Sequence, residues 1–413
     1  MVIAKKSRLI LLAIISLFVY ADIICENVLV IVNDQQSHFI ATAYLFGFLV
    51  LQIFFASIQS GLSDFFGRKK SLILSFVVSL SCLLCTYLYI ASNFHVGFFL
   101  ILALTGKALW GNTIPISFAA IADTQGKNYR RSFALASSTY SVAFITLIVA
   151  NLFTSNNIAY VSVSTIILLS SLIACIFTFK DSTDKSAHLP PASHHALESR
   201  NTFSKFWKLG AQEFNLLIKE LRRPLTKYGL SAYILWEISM YCIIISQVDL
   251  SQDSPQQITL AMMGGYLLGV LLLQFQPFSK IKDRKMMNFG YIFSFLSFLP
   301  YFLITHFIQS QNLLIGACYT LHALGNAFLS PTILSILATG RSSHEQGKIL
   351  GLVESADTAA FLVATIFVMV HTTNQWPISF LVSFSFIAFS VSWVYFPLIK
   401  RLENNIDRSS KKV

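Results

Sequence analysis

Seven ionisable side chains within apolar runs of this sequence are candidates for chemistry: Asp22, Glu26, Lys107, Glu237, His322, Glu354 and Asp357. A charge placed in an apolar span costs about 2.5–3.5 kcal/mol on insertion scales, so each is a candidate for function by default. Asp22 and Glu26 are four residues apart, which on a helix puts them on one face about 6 Å from each other. Two carboxyl groups that close in a low dielectric do not both ionise easily, and that is the chemistry of a proton-binding site. Asp22 or Glu26, together with Glu237, is therefore the expected proton carrier. Lys107 is the expected counter-ion or substrate contact, and His322 a relay or hydrogen-bond donor. Plainer roles stay open: Lys107 as a structural neutraliser of Asp22, His322 as a satisfied core histidine, Glu26 as a wet helix-end residue. Glu354 and Asp357 suit helix-end pairing or gating as well as a part in that proton chemistry. Trp110 and Trp236 neighbour these charges in sequence and offer flat faces to a solute. Most of the 37 Phe, 15 Tyr and 5 Trp are expected to pack or face lipid.

The elements that carry these residues follow from composition. Of 413 residues, 55% are hydrophobic and 12% charged. A soluble domain carries about 25% charged residues, and the composition also excludes intrinsic disorder and coiled coil. Twelve apolar segments are long enough to cross a bilayer: roughly 9–32, 39–59, 71–91, 96–122, 132–153, 158–179, 228–248, 257–277, 286–307, 312–338, 348–371 and 377–399. Lipid offers no hydrogen-bond partners, and runs this long are helices rather than barrel strands. The fold class expected is an all-α polytopic membrane protein. At a rise of about 1.5 Å per residue, Asp22, Lys107, Glu237 and His322 all fall near the middle of a core about 30 Å thick.

Charge gives the orientation. The net charge of +11 is not spread evenly: 29 of the 30 Lys and Arg lie in the two tails and in alternate loops, and Lys107 is the exception. The loops on the opposite side have none. Both termini and the central loop are therefore expected in the cytoplasm, and the basic balance implies no nucleic-acid partner. The N-terminal run after Lys5, Lys6 and Arg8 is too long for a signal peptide and reads as the first span. Cys25, Cys82, Cys85, Cys175, Cys242 and Cys318 all fall in spans and read as small packed hydrophobes rather than a disulfide or metal framework. No cofactor, metal or catalytic residue is expected.

The spans divide into six, a gap, and six. The expected organisation is an N-terminal bundle over 1–180, a linker over 181–227, a C-terminal bundle over 228–400 and a tail over 401–413. Pro190-Pro191 and His188, His194 and His195 lie in a solvated part of the linker; 201–222 reads as an amphipathic interfacial helix stopped by Pro224. The halves repeat weakly. Lys107-Ala-Leu-Trp-Gly111-Asn112 leads to Pro115, and His322-Ala-Leu-Gly325-Asn326 leads to Pro331, each followed by a Gln-Gly-Lys loop, at 125–127 and 346–348. In the eighth span Gly265-x3-Gly269 suits close helix packing.

Between spans two and three runs Ser60-Gly61-Leu62-Ser63-Asp64-Phe65-Phe66-Gly67-Arg68-Lys69-Lys70. The small residues allow a close helix approach, Asp64 suits a helix N-terminus or a cation, Gly67 permits a tight reversal and the basic run anchors at an anionic surface. The string resembles the loop signature of the major facilitator superfamily, with Ser60 in place of its first Gly and Phe65 in place of a basic residue. The resemblance implies twelve helices in two pseudo-symmetric six-helix bundles, with helices 1, 4, 7 and 10 lining a central cavity. Lys107 stands where the family often has an Arg linked to proton transfer. Asp123 closing the fourth span, and Arg130 and Arg131 opening the fifth, also look like the family. With Asp64, Arg68 and Lys69 they form an expected cytoplasmic gate network. The fifth span reads Ser137-Ser-Thr-Tyr140-Ser-Val-Ala143, without the Gly-Pro string usual in drug–proton antiporters of the superfamily.

The reading is a secondary transporter, a monomer in a bacterial inner membrane, moving a small-molecule substrate by alternating access with protons as the coupling ion, in symport. Drug or siderophore efflux by antiport, and a solute sensor with the same fold, stay open as alternatives. No Gly-x4-Gly-Lys-Ser/Thr loop is present, so a built-in ATPase is not expected, and without a nucleophile–base or metal constellation another enzyme is not expected either.

Overall fold

A computed structural model describes residues 2–33, 38–93, 97–125, 129–153, 157–179, 215, 218–250, 255–307, 311–339, 343–370, 383–388 and 390–395. Most of the linker with its histidines, residues 201–214 of the expected amphipathic helix, much of the twelfth span and the C-terminal tail lie outside them. Every described element is helical: α1 (Val2–Asn33), α2 (His38–Phe66), α3 (Arg68–Ala91), α4 (Gly97–Gly106), α5 (Ile114–Gln125), α6 (Tyr129–Phe153), α7 (Asn157–Thr178), α8 (Pro224–Leu250), α9 (Pro255–Gln274), α10 (Gln276–Ser279), α11 (Asp283–Phe307), α12 (Gln311–Ala338) and α13 (Ser343–Val370). Among the described residues eight spans are long and apolar enough to cross a bilayer.

The sides of these helices are arranged for lipid. On α7, Tyr160, Ser164, Leu168, Ser171 and Cys175 are buried, while Val163, Ile166, Leu169, Ile173 and Phe177 are exposed. Both sets recur at three- and four-residue steps, and the polar set is the inner one, which reverses the pattern of a water-soluble helix. The exposed Leu74, Val77, Leu84 and Leu88 of α3 repeat the arrangement. The chain is a multi-pass membrane protein.

One expectation is corrected. Residues 96–122 read as one continuous span, but the helix breaks. α4 passes at Lys107–Gly111 into a wider π turn, Asn112 is extended (φ −83°, ψ 113°), and α5 begins at Ile114. Pro115 contributes, having no N–H to give the Gly111 carbonyl four residues back. α13 also begins at Ser343, five residues before the expected start, so Glu354 lies three turns in.

The chain divides into two compact units. Unit one holds Met1–Ser132, Val149–Glu220 and Ala338–Ser355; unit two holds Phe133–Ile148, Leu221–Leu337 and Ala356–Val413. In unit one α3 packs on α4 and α7, and α1 on α5 and α7. Phe18 sits edge-on to Phe76 at 5.3 Å and to Phe179 at 6.0 Å. In unit two the core gathers Ala134, Val270, Leu273, Met286, Leu324, Ala327 and Phe328. Glycine permits the closest approaches there. A Cβ on Gly325 would lie 2.8 Å from the Gly290 carbonyl, and one on Gly265 would lie 2.9 Å from the Thr320 Cα. Close packing at Gly265 is what its spacing with Gly269 implies.

Candidate functional site

The break after α4 organises the charges of unit one. Asp22, on α1, and Lys107 are both fully buried and form an ion pair, Nζ to Oδ1 2.5 Å. The pair is anchored in backbone that the break has released. Lys107 Nζ also donates to the Gly111 carbonyl at 2.8 Å, and Ser79 Oγ to the same oxygen at 2.9 Å. The Thr113 N–H donates to Asp22 Oδ2 at 3.0 Å. Asn112 Oδ1 accepts from the Ile114 N–H at 3.0 Å. The Trp110 and Asn112 carbonyls accept from Gln59 Nε2 at 3.0 and 2.7 Å. Each of these backbone groups, orphaned by the break, thus has a partner, as a buried interruption in a lipid environment requires.

Glu26 lies one turn beyond Asp22 and accepts from Gln52 Nε2 at 3.2 Å. Lys107 also acts electrostatically on Glu26. Asn112 Nδ2 donates to Glu354 Oε1 at 3.2 Å, and Ser57 Oγ meets Ser355 Oγ at 2.6 Å, which ties the first half of α13 to this region of unit one. Trp110 is half-buried.

At the basic end of unit one, Arg68 is fully buried between two aspartates. It pairs with Asp64 one turn back and donates from Nε to Asp123 Oδ2 at 3.0 Å. Its Nη1 reaches Ser63 Oγ, whose hydroxyl donates to the Ser60 carbonyl at 2.6 Å. Asp64 also accepts from the Gly347 N–H at 3.2 Å, in the first turns of α13. Gly61 is buried at this helix end. Gly67 makes the reversal between α2 and α3 with φ 93°, a left-handed value that suits glycine alone. Lys69 Nζ donates to the Ile176 carbonyl at 2.6 Å. Arg130 is buried and Arg131 half-buried at the start of α6; the bridge between the two aspartates runs through Arg68.

Unit two holds two further groups. Glu237, on α8, is buried. It hydrogen-bonds to Tyr233, and the Asp357 carboxylate acts on it electrostatically. Asp357 in turn accepts from the Tyr241 hydroxyl at 2.9 Å. Among the described residues no Lys, Arg or His forms an ion pair with Glu237. The second group is His322 on α12, stacked on Trp236 with centroids 5.0 Å apart and planes at 14°. Trp236 is fully buried, and its indole N–H donates to Asn326 Oδ1 at 2.9 Å.

Gln52, Gln59 and Thr113 do structural work at the site that the sequence reading did not assign. A signal existed: two glutamines seven residues apart within one apolar run, two turns along the same helix face.

A family model described as Major Facilitator Superfamily matches residues 9–236. Among curated proteins no sequence matches this chain. Solved structures share its fold. The human organic anion transporter MFSD10 superposes with a TM-score of 0.65 at 14% identity, over 91% of this chain and 98% of its own. FucP in its outward conformation gives 0.64 at 13%, over 93% and 99%. A bacterial homologue of the iron transporter ferroportin, outward-facing, gives 0.66 at 12%, over 95% and 98%.

Proposed function

The chain belongs to the major facilitator superfamily, and on that premise we propose that it moves a small organic solute by alternating access in symport with protons, Glu237 being the carrier. The observation that carries this is the contrast between the two buried acids. Asp22 already has Lys107 at 2.5 Å. Glu237 has tyrosines, a second carboxylate and no basic partner among the described residues. A buried carboxyl without a cation stays neutral by holding a proton, and releases it when water or a charge reaches it. One structural neighbour supports the mode of coupling: FucP is a fucose:proton symporter. In this reading Asp22 and Lys107, with Glu26 beside them, brace the broken helix. The Asp64–Arg68–Asp123 cluster latches the cytoplasmic end, with Lys69, Arg130 and Arg131 at the same face. The bundles are 1–180 and 228–400, the linker and both termini are cytoplasmic, and the protein works as a monomer in a bacterial inner membrane.

The test uses the purified protein in liposomes. A thermal-shift screen of solute classes supplies a ligand, and its uptake is followed with and without an inward proton gradient. Gradient-driven accumulation is expected in the wild type. Glu237→Gln should abolish it while retaining exchange of solute against solute. Gradient-driven accumulation unchanged in Glu237→Gln removes the assignment; specific binding with no flux in the wild type favours a sensor.

A further inference from the structure

His322 is buried in unit two with one ring nitrogen bonded and the other bare. Its Nδ1 lies 3.3 Å from Ser297 Oγ. A hydroxyl has a single proton to give, and Ser297 gives its own to the Ser294 carbonyl at 2.6 Å. Ser297 can therefore only accept from the imidazole, so the proton of the neutral ring sits on Nδ1. Nε2 is left as a lone pair, shut away from solvent with no hydrogen-bond partner among the described residues. Among the described residues no carboxylate pairs with the ring. The surroundings are otherwise satisfied. Trp236 lies flat against the ring and is held by Asn326, and Phe298 abuts it edge-on at 6.1 Å. Buried polar atoms in native proteins are nearly always paired, and an exception calls for an explanation.

We propose that His322 Nε2 is a recognition site for the transported solute: a fixed hydrogen-bond acceptor in the C-terminal unit that takes an O–H or N–H donor and disfavours an anionic group. The proposal rests on the transport reading and adds the chemistry of the solute to it. It also reverses the role expected from sequence, since a ring with its proton committed to Ser297 accepts at Nε2 rather than donates. The acceptor is closed off in this conformation, and the transport cycle supplies the opening that exposes it.

Two measurements test it. Nitrogen NMR of the full-length, 15N-histidine-labelled protein in nanodiscs, with His322 assigned by its loss in His322→Gln, should show a protonated Nδ1 and an unprotonated Nε2. A proton on Nε2, alone or in an imidazolium, overturns the proposal. Thermal stability is then measured against neutral hexoses, polyols and simple amines, each set beside carboxylate counterparts such as gluconate for glucose. His322→Phe keeps a flat ring for Trp236 and removes the nitrogens; His322→Gln restores an acceptor. The concentration for half-maximal stabilisation should rise at least tenfold in His322→Phe and less than threefold in His322→Gln. Equal stabilisation of His322→Phe, stabilisation by anions alone, or none by any probe overturns it. Flux separates the two readings: a probe bound through His322 but not carried removes transport and leaves the acceptor standing. One carried equally well by His322→Phe does the reverse.

Discussion

The two repeat-related strings, 107–115 and 322–331, begin alike and end in different backbones. In the fourth span the helix breaks at Lys107–Gly111; in the tenth, α12 runs unbroken from Gln311 to Ala338 with Pro331 inside it. Each proline deprives a carbonyl four residues back of its helical partner. In the fourth span that carbonyl belongs to Gly111, and a lysine and a serine take it. In α12 it belongs to Ala327, deep in an apolar core, and the helix holds its course. A hydroxyl reinforces the next turn, Thr332 Oγ1 donating to the Phe328 carbonyl at 2.6 Å. What separates the two is the polar surroundings. Gln59, Asp22, Ser79 and Lys107 can satisfy an open backbone, whereas Val270, Leu324 and Phe328 cannot. A proline signals a helix interruption only where side chains stand ready to replace the lost hydrogen bonds.

The largest effect that would sharpen this contrast is at Lys107. Lys107→Met leaves Asp22 buried and unpaired, and should cost about 3–5 kcal/mol of stability. Adding Asp22→Asn should recover most of it, as measured by unfolding in mixed micelles. Recovery of none of the loss would mean that the lysine acts on something other than Asp22. Next is Gln59→Leu, which strips partners from two carbonyls at the break and should cost about 1–3 kcal/mol. A cost no larger than that of Thr332→Val in α12 would erase the distinction drawn between the two spans. Smaller again, Pro331→Ala restores a donor within a continuous helix. It should stabilise by about 1–2 kcal/mol, below the roughly 3 of an isolated helix. Pro115→Ala, at the start of α5 where proline is well tolerated, should shift stability by less than about 0.5 kcal/mol. Equal gains at both prolines would show that the fourth-span break is imposed by Pro115 alone.

Much of this was legible from residue types. Apolar runs revealed the spans, and the fold follows from them. The rarity of charge within those runs singled out Asp22, Lys107, Glu237 and His322, and all four are buried. The Asp22–Lys107 pair was among the readings left open, because spacing along one helix says nothing about which neighbour faces it. The break escaped because hydropathy averages side chains, while an interruption is decided by main-chain hydrogen bonds. Gly111, Asn112 and Pro115 together were the available clue. Gln52 and Gln59 give little signal, because uncharged amides inside a span weigh little on a scale that ranks charge first. The proton position on His322 was out of reach altogether, since it depends on Ser297, from another helix, and on where that serine sends its own hydrogen.

The lysine at the break is held partly by an oxygen that no substitution can delete. Replacing residue 111 changes bulk rather than donor chemistry: a methyl there would meet the Lys107 Cδ at 2.8 Å and Ser79 Oγ at 3.2 Å. An alanine scan would therefore register position 111 as a matter of fit and overlook its role as a ligand. Exchanging the amide for an ester between 111 and 112, which weakens the carbonyl as an acceptor while leaving every side chain in place, would expose that role.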